Sequence, residues 1–262
     1  MAWYFYPAII AAGFVAGFIN ILAGSGSLVT LPVLIWMGLP ATVANGTNRV
    51  GILLQNVVGV GTFRQSQTLD VRGAVWLSLP AIAGSIVGAQ IAVNLDEATM
   101  ERTIGGLMVV MLIVLLVRPQ RWLHGEHERL QGRPNWWQVL ILFAIGVYGG
   151  FIQAGVGIFL LAALVLGIGY DLVRANAVKL LIILIFTASA LLVFVRNDQV
   201  LWGIGLLLSL GNMLGAWVGA RTAIQRGSPW VRRVLLLVVT VSALDLLGIT
   251  NLIANLIARS TG

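Results

Sequence analysis

Apolar runs of about 20 residues, nearly free of charge, recur along this chain, and such a run is long enough to cross a hydrocarbon core of ~30 Å. The clearest are Val71–Val93, Ile104–Val117, Val173–Val195, Val200–Ala220 and Val231–Gly248. Charged residues make up only 10% of the 262 residues, hydrophobic ones 59%, and mean hydropathy is +0.96. A soluble domain carries about a quarter charged residues, so this chain cannot cover a water-facing surface. The net charge of +7 does not imply nucleic acid, because the basic residues sit in short loops between the runs. Cysteine is absent, which removes disulfides, thiolate chemistry and Cys-ligated metals. The first run lacks a basic leader and is followed by more membrane sequence, so it reads as mature protein and not as a signal peptide.

The sequence also repeats itself. Gly13-Phe-Val-Ala-Gly17-Phe18-Ile19-Asn20 returns as Gly146-Val-Tyr-Gly-Gly150-Phe151-Ile152-Gln153. After a two-residue deletion, Ala23-Gly24-Ser25-Gly26 matches Ala154-Gly155-Val156-Gly157, Ala44-Asn45 matches Ala175-Asn176, and Asn48 falls on Lys179. Gly84 to Ala89 then matches Gly211 to Ala216. Three matches in one order indicate a duplication: a first repeat over 1–117, a polar cytoplasmic connector over 118–136, and a second repeat over 137–262.

Each repeat opens with a broken element. A straight helix from Tyr6 to Met37 would run to ~48 Å, beyond the hydrocarbon core, and glycines at Gly24–Gly26 predict the break. Gly155-Val156-Gly157 predicts the second, followed by a short apolar stretch from Ile158 to Ile168. Breaks at membrane depth are tolerated where they face protein or a watery cavity, and at matched positions in two halves they mark transporter sites.

Counting loop cations chooses how these elements cross. If all elements span, Arg102, Arg174, Arg221, Arg226, Arg232 and Arg233 oppose eight others, which decides nothing. If each broken element is re-entrant, only Arg102, Arg196 and Arg259 are left outside. The expected fold is therefore an all-α polytopic membrane protein of two inverted repeats. Each repeat has a re-entrant broken helix pair and three transmembrane helices, and both termini lie outside.

Two cations remain inside apolar sequence, Arg49 and Lys179, one position apart in the repeat register. A cation there is costly and faces a cavity or a partner. The readings are an anion site or side chains that snorkel to an interface. Gly24, Ser25, Gly26 and Ser27, with Gly155 and Gly157, would expose half-helix N-termini, an anion cradle, or else allow close helix packing. Asn20, Gln153, Asn45, Asn176, Thr47 and Asn48 supply uncharged donors that either bind oxyanion oxygens or join helices.

Other features read as structural. Gly84 and Gly88, and Gly211, Gly215 and Gly219, form packing stripes. His124 to Glu128 is a solvated loop without the residues to complete a metal site, Asp245 is a helix-boundary residue, and Trp36, Trp122, Trp136, Trp137, Trp202 and Trp230 flank the runs as an interfacial belt would. No catalytic constellation is present, so no enzyme and no cofactor is expected.

Gly13-x-x-x-Gly17-Phe-Ile-Asn20, Ala23-Gly24-Ser-Gly26-Ser-Leu with Pro32, and Gly38-Leu-Pro40-x-x-x-Ala-Asn-Gly-Thr47-Asn48-Arg49 together resemble the sulfite exporter TauE/SafE family, as do Gly155-x-Gly157-x-Phe159 and Ala175-Asn-Ala-Val-Lys179. The chain departs from the family pattern at Ser25, Ser27, Arg49 and Val178. The resemblance implies a multi-pass permease of the bacterial inner membrane that moves a small oxyanion, sulfite or an organosulfonate, by alternating access. Its implied partners are the anion, the lipid bilayer and a coupling ion such as a proton, with no nucleic acid. An anion channel, or a permease for another small solute or metal ion, remains the alternative.

Overall fold

A computed structural model describes residues 5–117 and 135–246, all of the ordered elements being helices. They are α1 (Phe5–Ala23), α2 (Ser27–Trp36), α3 (Ala41–Gln65), α4 (Val71–Val93), α5 (Glu97–Val117), α6 (Trp136–Phe151), α7 (Val156–Ala162, continued by a π-helical turn over Ala163–Ile168), α8 (Leu172–Arg196) and α9 (Trp202–Leu246). α9 is broken at Gly227, where φ is 69° and ψ −173°. The connector motif His124 to Glu128 lies outside the described residues, as does the side chain of Asp245.

Four described helices are long and apolar enough to cross a membrane: Tyr6–Ala23, Val71–Val93, Leu172–Arg196 and Trp202–Gly227. Their outward faces carry exposed aliphatic side chains such as Leu79, Val87, Leu206 and Leu214, the surface expected against lipid. Trp36, Trp136, Trp137 and Trp202 are exposed near helix ends, in keeping with an interfacial belt.

Helix starts are set by acceptors at the free N–H groups. Asp70 accepts from Gly73 at 2.9 Å and opens α4, and Asp171 accepts from Val173 and Arg174 at 2.9 and 3.1 Å and opens α8. α3 follows Pro40, which has no capping side chain. Glu97 of α5 reaches over instead and accepts from the N–H groups of Ala41 and Thr42 and from the Thr42 hydroxyl. A carboxylate there also suits the positive end of the α3 dipole.

The broken elements fold back as hairpins. Gln138 near the start of α6 donates to Gly167 O at the end of the π turn at 3.0 Å, so α7 returns to the level where α6 began. In the first repeat Ile9 of α1 packs against Leu34 and Leu39 around the end of α2. The first break is at the predicted glycines. The second falls a little earlier than predicted, after Phe151, and Gly157 lies within α7. Side-chain ligands on the last α6 carbonyls, described below, account for that shift.

The two halves of the chain clasp each other crosswise. α1 packs along α9 and α6 along α4. Gly13 and Gly17 meet the backbone at Leu208 and Asn212, while Gly146 and Gly150 meet it at Ala81 and Ser85, the same places in the repeat register. Gly211 and Gly215 face Ile10 and Phe14, as Gly84 and Gly88 face Phe143 and Val147. A Cβ at any of these eight positions would collide with a carbonyl oxygen of the partner helix, so these stripes do serve packing. Gly219 has more room.

Candidate functional site

α3 differs from its 25-residue counterpart α8 in what it buries. Asn45, Thr47, Asn48, Arg49, Gln55 and Asn56 are all withdrawn from the surface, and a helix carrying so many buried amides needs partners for them. Asn45, Asn48 and Arg49 find those partners at the two helix breaks.

Arg49 and Lys179 are completely buried, which rules out snorkelling. Arg49 Nη1 donates to Gly149 O at 3.1 Å and Gln153 Oε1 at 3.4 Å, and Nη2 to Gly150 O at 2.6 Å, Phe151 O at 3.3 Å and Asn45 Oδ1 at 3.5 Å. Phe194 covers the guanidinium 4.5 Å from its ring centroid. Lys179 Nζ donates to Asn20 O at 3.1 Å, Ile21 O at 2.9 Å and Asn176 Oδ1 at 2.8 Å. Each cation therefore sits at the C-terminal end of the first helix of the other half, on backbone carbonyls of its last turn. The register repeats in detail: Asn45 and Asn176 both present their amide oxygen to the cation.

A helix C-terminus carries about half a negative charge, so each cation is only partly compensated. Among the described residues, no carboxylate hydrogen-bonds or pairs with either one. Arg49 Nε and Asn176 Nδ2 are buried donors with no acceptor at all. The site is thus electropositive and retains unspent donors, the condition in which an anion gains most from entering.

The glycine breaks meet at the centre of the molecule. Gly157 N–H donates to Gly24 O at 3.2 Å, and neither residue has space for a Cβ against the other. Gly24 and Gly155 hold φ values of 74° and 73°, open chiefly to glycine. Gly26 N–H donates to Asn20 Oδ1 at 3.3 Å. The N–H groups of Gly26 and Gly157 are therefore already engaged, and close packing accounts for Gly24 and Gly157.

The remaining predicted residues divide. Asn48 ties α3 to α2, donating to Ser27 Oγ at 3.2 Å and accepting from Thr30 Oγ1 at 2.7 Å; Ser25 is buried within the break. Thr47 faces elsewhere, its hydroxyl accepting from Leu201 N–H at 2.9 Å at the start of α9. Gln153 belongs to the cluster, and its Nε2 donates to Thr187 Oγ1 at 2.6 Å. Thr187 escaped the sequence reading, although it and Ser189 are the only polar residues of α8 between Lys179 and Arg196. Phe194 and Thr30 escaped it too, and carry no signal apart from their neighbours.

The family model described as sulfite exporter TauE/SafE matches residues 9–246. A Sinorhizobium protein described as probable membrane transporter protein ORF9 is 27% identical over 252 residues, covering 95% of this chain and 94% of its own. A probable membrane transporter protein of Haemophilus influenzae is 26% identical, with 86% and 87% covered. The probable membrane transporter protein YfcA of Escherichia coli is 25% identical, with 88% and 86% covered. No solved structure matches the chain.

Proposed function

The chain belongs to the sulfite exporter TauE/SafE family of membrane transporters, and on that premise we propose that it is a secondary transporter of a small oxyanion, sulfite or an organosulfonate. The observation that carries this reading is the pair Arg49 and Lys179, both fully buried, both without a carboxylate partner, and each with one buried donor left without an acceptor, Arg49 Nε itself and Asn176 Nδ2 on the amide that binds Lys179. Substrate would enter near the meeting of the two breaks. The amides of Asn20, Asn45, Gln153 and Asn176 would orient it, and Ser25, Ser27 and Asn48 would line the approach from α2.

We further read the two repeats as inverted and both broken elements as re-entrant. Two hydrogen bonds support this. Tyr170, after α7, donates to Asp70, after α3, at 2.7 Å, and Gln199, before α9, donates to Val93 O at the end of α4 at 3.2 Å. If the broken elements crossed the membrane, both bonds would join opposite faces of it; with re-entrant hairpins each lies on one face. In that arrangement 66–70 and 169–171 face the cytoplasm, and 94–96 and 197–201 face outward. Rocking of one repeat against the other would expose the central site alternately.

Thermal-shift and calorimetric titration of the purified protein with sulfite, sulfate, thiosulfate, sulfoacetate and taurine tests the substrate class. The expected result is saturable stabilisation by sulfite or a sulfonate and none by a divalent cation. A protein that responds to no anion, or to a metal ion instead, would end the reading. Counterflow in proteoliposomes then separates a carrier from a pore, since only a carrier shows stimulated exchange.

A further inference from the structure

The chain Arg49–Gln153–Thr187 has no working counterpart in the first repeat. In the register, Gln153 corresponds to Asn20, Thr187 to Asn56, Phe186 to Gln55, and Ser85 to Asn212. Around the second break these positions are closed: Gln153 spans to Thr187, Phe186 is apolar, and Ser85 Oγ donates to Phe186 O at 3.1 Å. In the first, Asn20 is one methylene shorter and its Oδ1 is turned to Gly26 N–H. Asn56 Nδ2 donates back to Ile52 O at 2.8 Å, which fixes its amide orientation and leaves Oδ1 without a partner. Gln55 Nε2 and Asn212 Oδ1 also lack partners, and all four of these side chains are more than nine-tenths buried.

Gln55 and Asn56 are consecutive on α3, and Asn212 of α9 faces the same helix one turn earlier. Gly51, Gln55 and Gly59 form one stripe of α3 at helical spacing. Gly51 faces the Asn212 amide, and Gly59 faces Ile21 and Leu180, the neighbours of Asn20 and Lys179. Gln55 therefore lies on α3 between Asn212 and the side chains of Ile21 and Leu180, the chain neighbours of Asn20 and Lys179.

We infer that the site is one-sided. Lys179 holds the anionic end of the substrate, and Gln55, Asn56 and Asn212 receive a hydroxyl group on the rest of the molecule. A fully ionised oxyanion offers only acceptors and would leave the Asn56 and Asn212 oxygens unpaired, which is costly in a buried site. A hydroxyl donates to one of those oxygens and accepts from Gln55 Nε2. The class is a short organic anion bearing a hydroxyl. This inference rests on the anion reading above.

The test compares 2-hydroxyethanesulfonate with ethanesulfonate, which differ by that one group, in binding to the full-length purified protein. The hydroxylated anion should bind about tenfold tighter. In Asn56→Thr, which installs the second repeat's residue, and in Gln55→Met, the ratio should fall towards one; melting temperatures show that each variant is folded. Ethanesulfonate binding as tightly as its hydroxylated partner to the wild type would mean that Gln55, Asn56 and Asn212 receive no part of the substrate, overturning the one-sided site while leaving the anion reading intact. A tenfold ratio that persists in either folded variant also overturns it. If neither sulfonate binds, the anion reading fails and this inference fails with it.

Discussion

The Tyr170 hydroxyl donates to the Asp70 carboxylate at 2.7 Å and so fastens the connection after α7 to the connection after α3. Burial, and then the neighbouring carboxylate, push that hydroxyl above the ordinary tyrosine value of about 10. A raised value means that the neutral form stabilises the fold fully below the ordinary range, and that this contribution is lost as the pH climbs above it. Tyr170→Phe should cost about 1–3 kcal/mol at neutral pH and flatten the alkaline loss of stability. Thermal melts of both proteins from neutral to strongly alkaline pH check this, and an unchanged alkaline slope would assign the loss to other groups.

The same bond makes a prediction about sidedness. Single cysteines at Gln65 and Asn197, both exposed, should label from opposite sides of the membrane in intact cells with an impermeant thiol reagent. The absence of native cysteine leaves no background. Labelling from one and the same side would place the broken elements across the membrane and refute the re-entrant arrangement.

The two cations should separate in their effects. Arg49 holds three carbonyls at the end of α6, so Arg49→Ala is expected to lower the melting temperature as well as anion binding, and Arg49→Lys to recover part of both. Lys179→Met keeps the length of the side chain and removes its charge; the loss of anion affinity should be on the order of 1.5–3 kcal/mol. Titration calorimetry on the folded variants decides it. Wild-type affinity in Lys179→Met would confine that lysine to capping α1.

The glycines at the centre are predicted to govern stability. Gly24→Ala would place a side chain at φ 74°, costing about 1–2 kcal/mol from the backbone alone, and would also strike Gly157. Gly157→Ala would strike Gly24 in turn. Gly105 of α5 has open space around it, so Gly105→Ala should be neutral or stabilising by up to about 1 kcal/mol. Equal melting temperatures for all three variants would mean that the contact between the breaks is dispensable.

Much of this was legible in the sequence because duplication supplies its own control. α4 and α8 were readable as uninterrupted apolar runs, and the first break was readable because Gly24 to Gly26 stand inside one. Arg49 and Lys179 stood out by elimination. What they touch did not, since their ligands are chiefly backbone carbonyls 100 or more residues away in the chain, and carbonyls have no sequence signature. Thr47 was grouped with Asn48 and Arg49 by proximity, yet two residues along a helix is more than half a turn, and it faces α9. Glu97 could not be read as the cap of α3, because the intervening helix α4 must be placed before the two ends are known to meet.

The crosswise clasp of α1 with α9 and α6 with α4 has a consequence for how the chain is made. α1 is complete at Ala23, but its partner begins only at Trp202, roughly 180 residues later, which at about 5–20 residues per second is about 9 to 36 seconds of synthesis. Throughout that interval the Gly13–Gly17 face lacks the helix it fits, and the carbonyls of Asn20 and Ile21 await a lysine not yet made. The first repeat is thus born as half of a joint, and its assembly is timed by the emergence of the second.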